Sequence, residues 1–168
     1  MFKKFCLVVV LGLACAAWAQ RAADDPDWKE SEVPPPPAFD VSRLVTFETS
    51  PNSSLVFAVD PATLHINQVD GVLRYVMVAT SATGVRNISY EGIRCVTGEF
   101  KTYARYSPSG QWNKVANPQW RSVFDPMPSQ HALRFAKAGA CDNSARASSV
   151  EAIVQQLKIT SAQSQSLR

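Results

Sequence analysis

Between Val72 and Ala116 the chain repeats one pattern four times: a run of strand length, rich in β-branched and aromatic residues, closed by a short turn signal. Asp70-Gly71 opens "VLRYVMVAT" (Val72 to Thr80), and Ser81-Ala82-Thr83-Gly84 leads towards "ISYEGIRC" (Ile88 to Cys95). Thr97-Gly98 then introduces "EFKTYARY" (Glu99 to Tyr106), and Ser107-Pro108-Ser109-Gly110 introduces "QWNKVA" (Gln111 to Ala116). Parallel strands need crossovers of a dozen residues or more, so connections this short impose an antiparallel meander. The first run is apolar at both parities and is therefore expected at the centre of the sheet.

"ISYEGIRC" breaks the period of two. Ile88 and Tyr90 share one parity, whereas Ile93 and Cys95 fall on the other, with Gly92 at the fault. An extra residue in one strand reverses the facing of everything after it, and glycine tolerates the backbone angles that this needs. The pattern predicts a backbone bulge at Gly92. It would point Ile88, Tyr90, Ile93 and Cys95 to the core and bring Glu91 and Arg94 together on the opposite face. In the next run, Phe100, Thr102, Ala104 and Tyr106 are expected on one face, and Lys101, Tyr103 and Arg105 on the other.

Three shorter β-rich runs precede the meander: "RLVTF" (Arg43 to Phe47), "LVFAV" (Leu55 to Val59) and "TLHIN" (Thr63 to Asn67). After Pro118, Pro126 and Pro128 the period becomes helical. One helix is predicted over Ser129 to Ala138, with Ser129 as its cap and Gly139 as its stop. A second is predicted over Ser149 to Lys158, where Ser148 and Glu151 have capping-box spacing and Val150, Ile153, Val154 and Leu157 form one stripe. The fold class is α+β: an antiparallel sheet of about five or six strands with two C-terminal helices packed on one face.

The N-terminal residues carry Lys3 and Lys4, an apolar run from Phe5 to Ala19, and small residues at Ala17 and Ala19. This is the pattern of a secretory signal peptide cleaved after Ala19, since the run is too short to span a bilayer. The mature protein is expected in the periplasm without a transmembrane segment. It keeps 15 basic and 14 acidic residues and two cysteines, Cys95 and Cys141, which in an oxidising compartment form one disulfide or remain two buried thiols. Residues 20–40 are acidic, with six acids against two bases, and contain Pro34 to Pro37. Four successive prolines exclude helix interior and central strand and favour extended polyproline II, so this segment reads as an arm in which Trp28 is the one large apolar group. From Val41 onward the charge is reversed, 13 bases against 8 acids, and attraction would help the arm lie down. The resulting organisation is signal peptide 1–19, acidic Pro-rich arm 20–40, one domain 41–159 and a disordered polar tail 160–168.

The two histidines, His65 and His131, have no partners at zinc-ligand spacing. No nucleophile elbow, phosphate loop or dinucleotide fingerprint occurs, and no cofactor or metal is expected. Asp60, Asp70, Glu91, Glu99 and Asp125 could in principle supply the paired carboxylates of a hydrolase. The densest chemistry is the mixture of Arg74, Arg86, Arg94, Lys101, Arg105, Lys114 and Arg121 with Tyr103, Trp112 and Trp120. Cations interleaved with aromatic rings suit an anionic glycan or peptide, or they simply pair with Glu91 and with one another across strands. Nucleic acid is disfavoured by export and by a mature net charge of only +1.

The stretch "DGVLRYVMVATSATGVRNISYEGIRCVTGEFKTYARYSPSGQW" with "NPQW" (Asn117 to Trp120) resembles the core of the cryptic neisserial protein (CNP-one-like) family, "YEGIRC" and the preceding "RY" being the most specific parts. Trp28, Pro34 to Pro37 and Cys141 extend the resemblance over roughly Trp28 to Leu157. The family comprises exported proteins of Gram-negative bacteria without an assigned activity, so the resemblance implies a compartment and a domain but no reaction. Arg74, Tyr75, Glu91, Arg94, Tyr103, Trp112 and Trp120 match its pattern and are the candidate functional face of a binding or envelope-accessory module, with a small carboxylate hydrolase as the alternative. "HALRFAKAGAC" departs from the expected approach to Cys141, and no site near Phe135 is implied.

Overall fold

The structure, a computed structural model, describes residues 25–49 and 53–166. The signal peptide expected over residues 1–19 lies outside the described residues.

The meander forms as its turn chemistry requires. Strands β1 (Val45–Phe47), β2 (Leu55–Val59), β3 (His65–Ile66), β4 (Leu73–Ser81), β5 (Arg86–Arg94), β6 (Glu99–Tyr106), β7 (Trp112–Lys114) and β8 (Arg121–Ser122) build one antiparallel sheet. Its order is β1-β2-β4-β5-β6-β7, with β3 pairing β4 and β8 pairing β6. The two-sided apolar run indeed sits between β2 and β5. Helix α1 (His131–Phe135) passes into a π turn (Ala136–Ala140), a two-stranded ribbon of β9 (Cys141–Asp142) and β10 (Ala145–Arg146) follows, and α2 (Val150–Ser166) ends the described chain.

Both helices pack on one face. Ile153 and Leu157 of α2 and Phe135 of α1 are completely buried with Tyr75, Met77, Phe57, Ile93 and Phe100 of the sheet. The caps differ from expectation. Gln130, in the left-handed region at φ 46°, precedes α1, and the Ser129 hydroxyl bonds to His131 Nδ1 rather than capping. At α2 it is Ser149, not Ser148, whose hydroxyl accepts the Ala152 amide. Helix α2 also continues past Thr160, where a disordered tail was expected. No Gly or Pro interrupts it, and the Thr160 hydroxyl donates back to the Gln156 carbonyl. Gly139, inside the π turn, stands at φ 126° against the Gln156 side chain, a conformation open to glycine.

The opposite face is buried as well. Val76, Val78, Tyr90, Tyr103 and Ala104 form a second core, and Val33 and Phe39 of the arm pack on it together with Leu44 and Trp112. This explains the parity change in "ISYEGIRC". Tyr90 belongs to the arm-side core and Ile93 to the helix-side core, so the strand need not flip to bury both.

Accordingly, Gly92 does not carry the bulge. Pairing of β5 with β4 is unbroken from Arg86 to Ile93. The slip lies between β5 and β6, where Tyr90 faces Ala104 but Glu91 faces Thr102, leaving Tyr103 of β6 as the extra residue. Beyond it the alternation of β6 reverses: Phe100 joins the helix-side core, Ala104 the arm-side core. Gly92 serves that bulge from across the ladder, since a Cβ there would lie 2.3 Å from the Tyr103 hydroxyl. Gly92→Ala should therefore destabilise the fold by about 1–3 kcal/mol through overpacking, measured by urea denaturation. An unchanged midpoint would mean that Tyr103 swings aside without cost.

Candidate functional site

The face anticipated from sequence divides between the two sides of the sheet. Arg74, Arg94, Tyr103, Trp112 and Trp120 contact the arm or the core beneath it. Tyr75 and Glu91, one residue out of phase, point into the helix-side core. Glu91 and Arg94 therefore do not pair. The separation follows from continuous β5 alternation, in which odd and even positions take opposite faces.

On the arm side the centre is Arg74, fully buried beside Asp70. Its Nη2 donates to Asp70 Oδ2 at 2.7 Å. The Asp70 carboxylate also accepts the amides of Val72 at 2.9 Å and of Ser31 at 3.0 Å. Burial alone would raise the Asp70 pKa, but these donors outweigh it and hold the carboxyl below its ordinary range. From the arm, Glu30 completes the cluster. One of its oxygens accepts the Tyr103 hydroxyl at 2.6 Å and lies 3.6 Å from Arg74 Nη2, and the other pairs with Lys101. Burial first, and then the bond to Glu30, push the Tyr103 phenol well above its usual pKa, so it remains a donor.

Two residues earlier, Trp28 occupies an adjoining slot. The Arg94 guanidinium lies 3.8 Å over its ring, Trp120 meets it edge-on at 5.9 Å, and its Nε1–H donates to the Asp70 carbonyl at 2.9 Å. Lys101 sits 4.7 Å over Trp120. Trp112 is removed from this cluster, packed with Phe39, Tyr90 and Tyr106. Among the described residues no backbone–backbone hydrogen bond joins the arm to the sheet. The arm is held by side chains and by amides reaching carboxylates, as suits a polyproline-type segment whose own backbone makes no ladder. The Arg74 Nε is buried and has no hydrogen-bond partner among the described residues.

On the helix side, Glu91 gathers three donors, of which only Ser89, two residues earlier on the same strand face, is near it in sequence. Ser89 Oγ lies at 2.7 Å, Tyr75 Oη at 3.3 Å and His131 Nε2 at 3.1 Å. Ser129 Oγ bonds His131 Nδ1 at 3.1 Å. Serine, histidine and glutamate are thus in one chain, but the imidazole is closed in by the stacked Phe57 ring and the edge of Phe100. A groove of about 710 Å³ lies elsewhere, lined by Cys95, Val123, Phe124, Leu133, Cys141 and Gln156 among others. None of Ser129, His131 or Glu91 borders it.

The Glu91–His131 contact makes stability depend on pH. Burial would depress the imidazole pKa, but the Glu91 charge and hydrogen bond outweigh burial and raise it above 6.5, while Arg105 opposes them. Burial would raise the Glu91 pKa, but His131, Ser89 and Tyr75 bring it below 4.5. The histidine's contribution is complete below its unfolded pKa and is lost as pH rises through its raised folded value. The glutamate's is present above its unfolded pKa and is lost as pH falls through its lowered folded value. Stability from this pair should peak between pH 4.5 and 6.5. Denaturation from pH 6 to 9 should show wild type losing stability and His131→Asn losing less. Parallel curves would contradict the ion pair.

Of the five acids weighed for paired-carboxylate chemistry, Asp60 binds Arg43 and the Ala62 amide, Asp70 binds Arg74, and Glu91 binds His131. Glu99 takes the Thr97 hydroxyl and lies near Arg94, and Asp125 approaches Arg121. None borders the groove that Cys95 and Cys141 line. His65 is exposed on β3. No helix among the described residues is long and apolar enough to cross a membrane. Cys95 and Cys141 are joined in a disulfide with 5.6 Å between their Cα atoms, which resolves the choice the sequence left open.

Sequence could not have shown that Trp28 and Glu30 belong to the same cluster as Asp70 and Arg74, because their separations from those residues are set by where the arm crosses the sheet. The one signal available was charge, an acidic arm preceding a basic body. No curated protein and no solved structure matches the chain. The sequence profile of the CNP1-like family matches residues 23–158, which take in nearly all of the arm, the sheet, α1 and the first half of α2. The chain belongs to the CNP1-like family.

Proposed function

We propose that this protein is an exported periplasmic module that binds an anionic partner of the cell envelope, without turning it over, at the face formed by Arg74, Arg94, Lys101, Tyr103 and Trp120. The observation that carries the reading is the seat of Glu30. A carboxylate rests there on a guanidinium, an ammonium and a phenol, donors that suit recognition of anions. The export signal, read from sequence, and the disulfide support the compartment. Hydrolysis through paired carboxylates needs two acids facing a shared cleft, and each of the five candidates is instead engaged with a base, a hydroxyl or an amide.

The face is covered by the protein's own arm, so the test must uncover it. The full-length double variant Trp28→Ala/Glu30→Ala should be retained on immobilised poly-L-glutamate at physiological salt more strongly than wild type, and adding Lys101→Glu should abolish that gain. Equal elution of all three would overturn the reading. So would Glu91- or Asp70-dependent hydrolysis of an envelope substrate by the purified protein.

A further inference from the structure

We infer that the arm is an intramolecular stand-in for the partner, and that the groove recognises an extended acidic peptide segment bearing an aromatic side chain two residues before a carboxylate. This rests on the binding reading above and specifies its ligand. The arm itself displays the chemistry: Trp28 and Glu30 fall on the same side of an extended chain by the period of two and fill adjoining slots. The first slot offers the Arg94 face, the Trp120 edge and the Asp70 carbonyl for an indole N–H. The second offers Arg74, Lys101 and the Tyr103 hydroxyl for a carboxylate. The Asp70 carboxylate takes the amide of Ser31, the residue after the acid, which fixes chain direction.

Three features mark the segment as exchangeable rather than as one more strand. It forms no backbone ladder with the sheet among the described residues, so another peptide with the same side chains can replace it without breaking secondary structure. Glu30 leaves Arg74 imperfectly served: the ion pair is at 3.6 Å, beyond hydrogen-bond reach, and the buried Nε has no partner among the described residues. Pro34 to Pro37 separate this end of the arm from Phe39, which is anchored on Tyr106 and Trp112. Residues 25–31 can therefore leave while the second core stays covered. A tethered occupant competes at an effective concentration near millimolar, so a free segment binds weakly until the arm is displaced.

The test is fluorescence anisotropy with a labelled synthetic peptide, "DDPDWKESEV", copied from residues 24–33. It should bind the full-length Trp28→Ala/Glu30→Ala protein saturably and at least tenfold more tightly than wild type, and peptides carrying Trp28→Ala or Glu30→Gln should each lose most of that affinity. If the double variant fails to retain its circular dichroism spectrum, Glu30→Gln protein carries the same comparison. A folded variant that ignores the peptide overturns the inference. Equal binding of the native and Trp28→Ala peptides, with poly-L-glutamate competing as well as either, also overturns it, because the groove then reads charge alone; the anionic-partner reading survives that outcome and fails on the poly-L-glutamate column if all three proteins elute alike.

Discussion

Arg74→Ala should lower stability by about 3–5 kcal/mol, the usual cost of removing one partner from a buried ion pair, and should lower Tm by roughly 10 °C. The side chain is completely buried between Asp70, itself inaccessible, and Glu30. Alanine would leave the Asp70 carboxylate with two amide donors and no cation, raising its pKa, so the loss should be smallest at low pH, where that carboxyl can be neutral. Urea denaturation at pH 4 and pH 7 checks this. A deficit that does not shrink at the lower pH would place the cost in lost packing instead. Because Arg74 is structural as well as a component of the groove, it is a poor probe of binding. Lys101, partly exposed and less enclosed, separates the two roles better.

Breaking the Cys95–Cys141 bridge should cost about 4 kcal/mol on the chain-entropy account for a 46-residue separation. The bridge ties the end of β5 to the residue following the π turn, and the Cys95 sulfur also lies by the Ala140 carbonyl. Without it the α1 region is held to the sheet chiefly by Phe135, Ala132 and the His131–Glu91 contact. Thermal denaturation of Cys95→Ala/Cys141→Ala, or of the reduced protein, should show a Tm lower by roughly 10 °C. A change of only a degree or two would show that the reduced chain keeps this loop closed.

These two losses act at opposite faces of one sheet, and the fold depends on both faces being covered. Helices α1 and α2 cover one with Phe135, Ile153 and Leu157, and the arm covers the other with Val33 and Phe39. If residues 25–31 exchange for a partner segment, Val33 and Phe39 remain on the second core, so occupancy of the groove can change without exposing Val76, Val78 and Tyr90.

Local order was legible in the sequence. Turn signals at Asp70-Gly71, Thr97-Gly98 and Ser107 to Gly110 delimit β4, β6 and β7, and the stripe Val150, Ile153, Val154 and Leu157 is the face that α2 buries. Such features depend on neighbours a few residues away, through backbone angles and side-chain period. What sequence could not determine is which face each apolar residue serves when both faces are buried. An alternation of apolar with polar identifies one core, but "ISYEGIRC" has apolar residues at both parities, and the same letters fit a bulge at Gly92 or two cores with an unbroken strand. Only the tertiary structure, by laying the arm across one side, decided for two cores and moved the bulge to Tyr103. The polar contacts follow the same logic. Glu91 meets His131 40 residues away, and Glu30 meets Tyr103 73 residues away. Charge told that arm and body attract, but Coulomb attraction has no register. The steric fit of Trp28 against Arg94 and Trp120 is what sets Glu30 on Arg74, Lys101 and Tyr103.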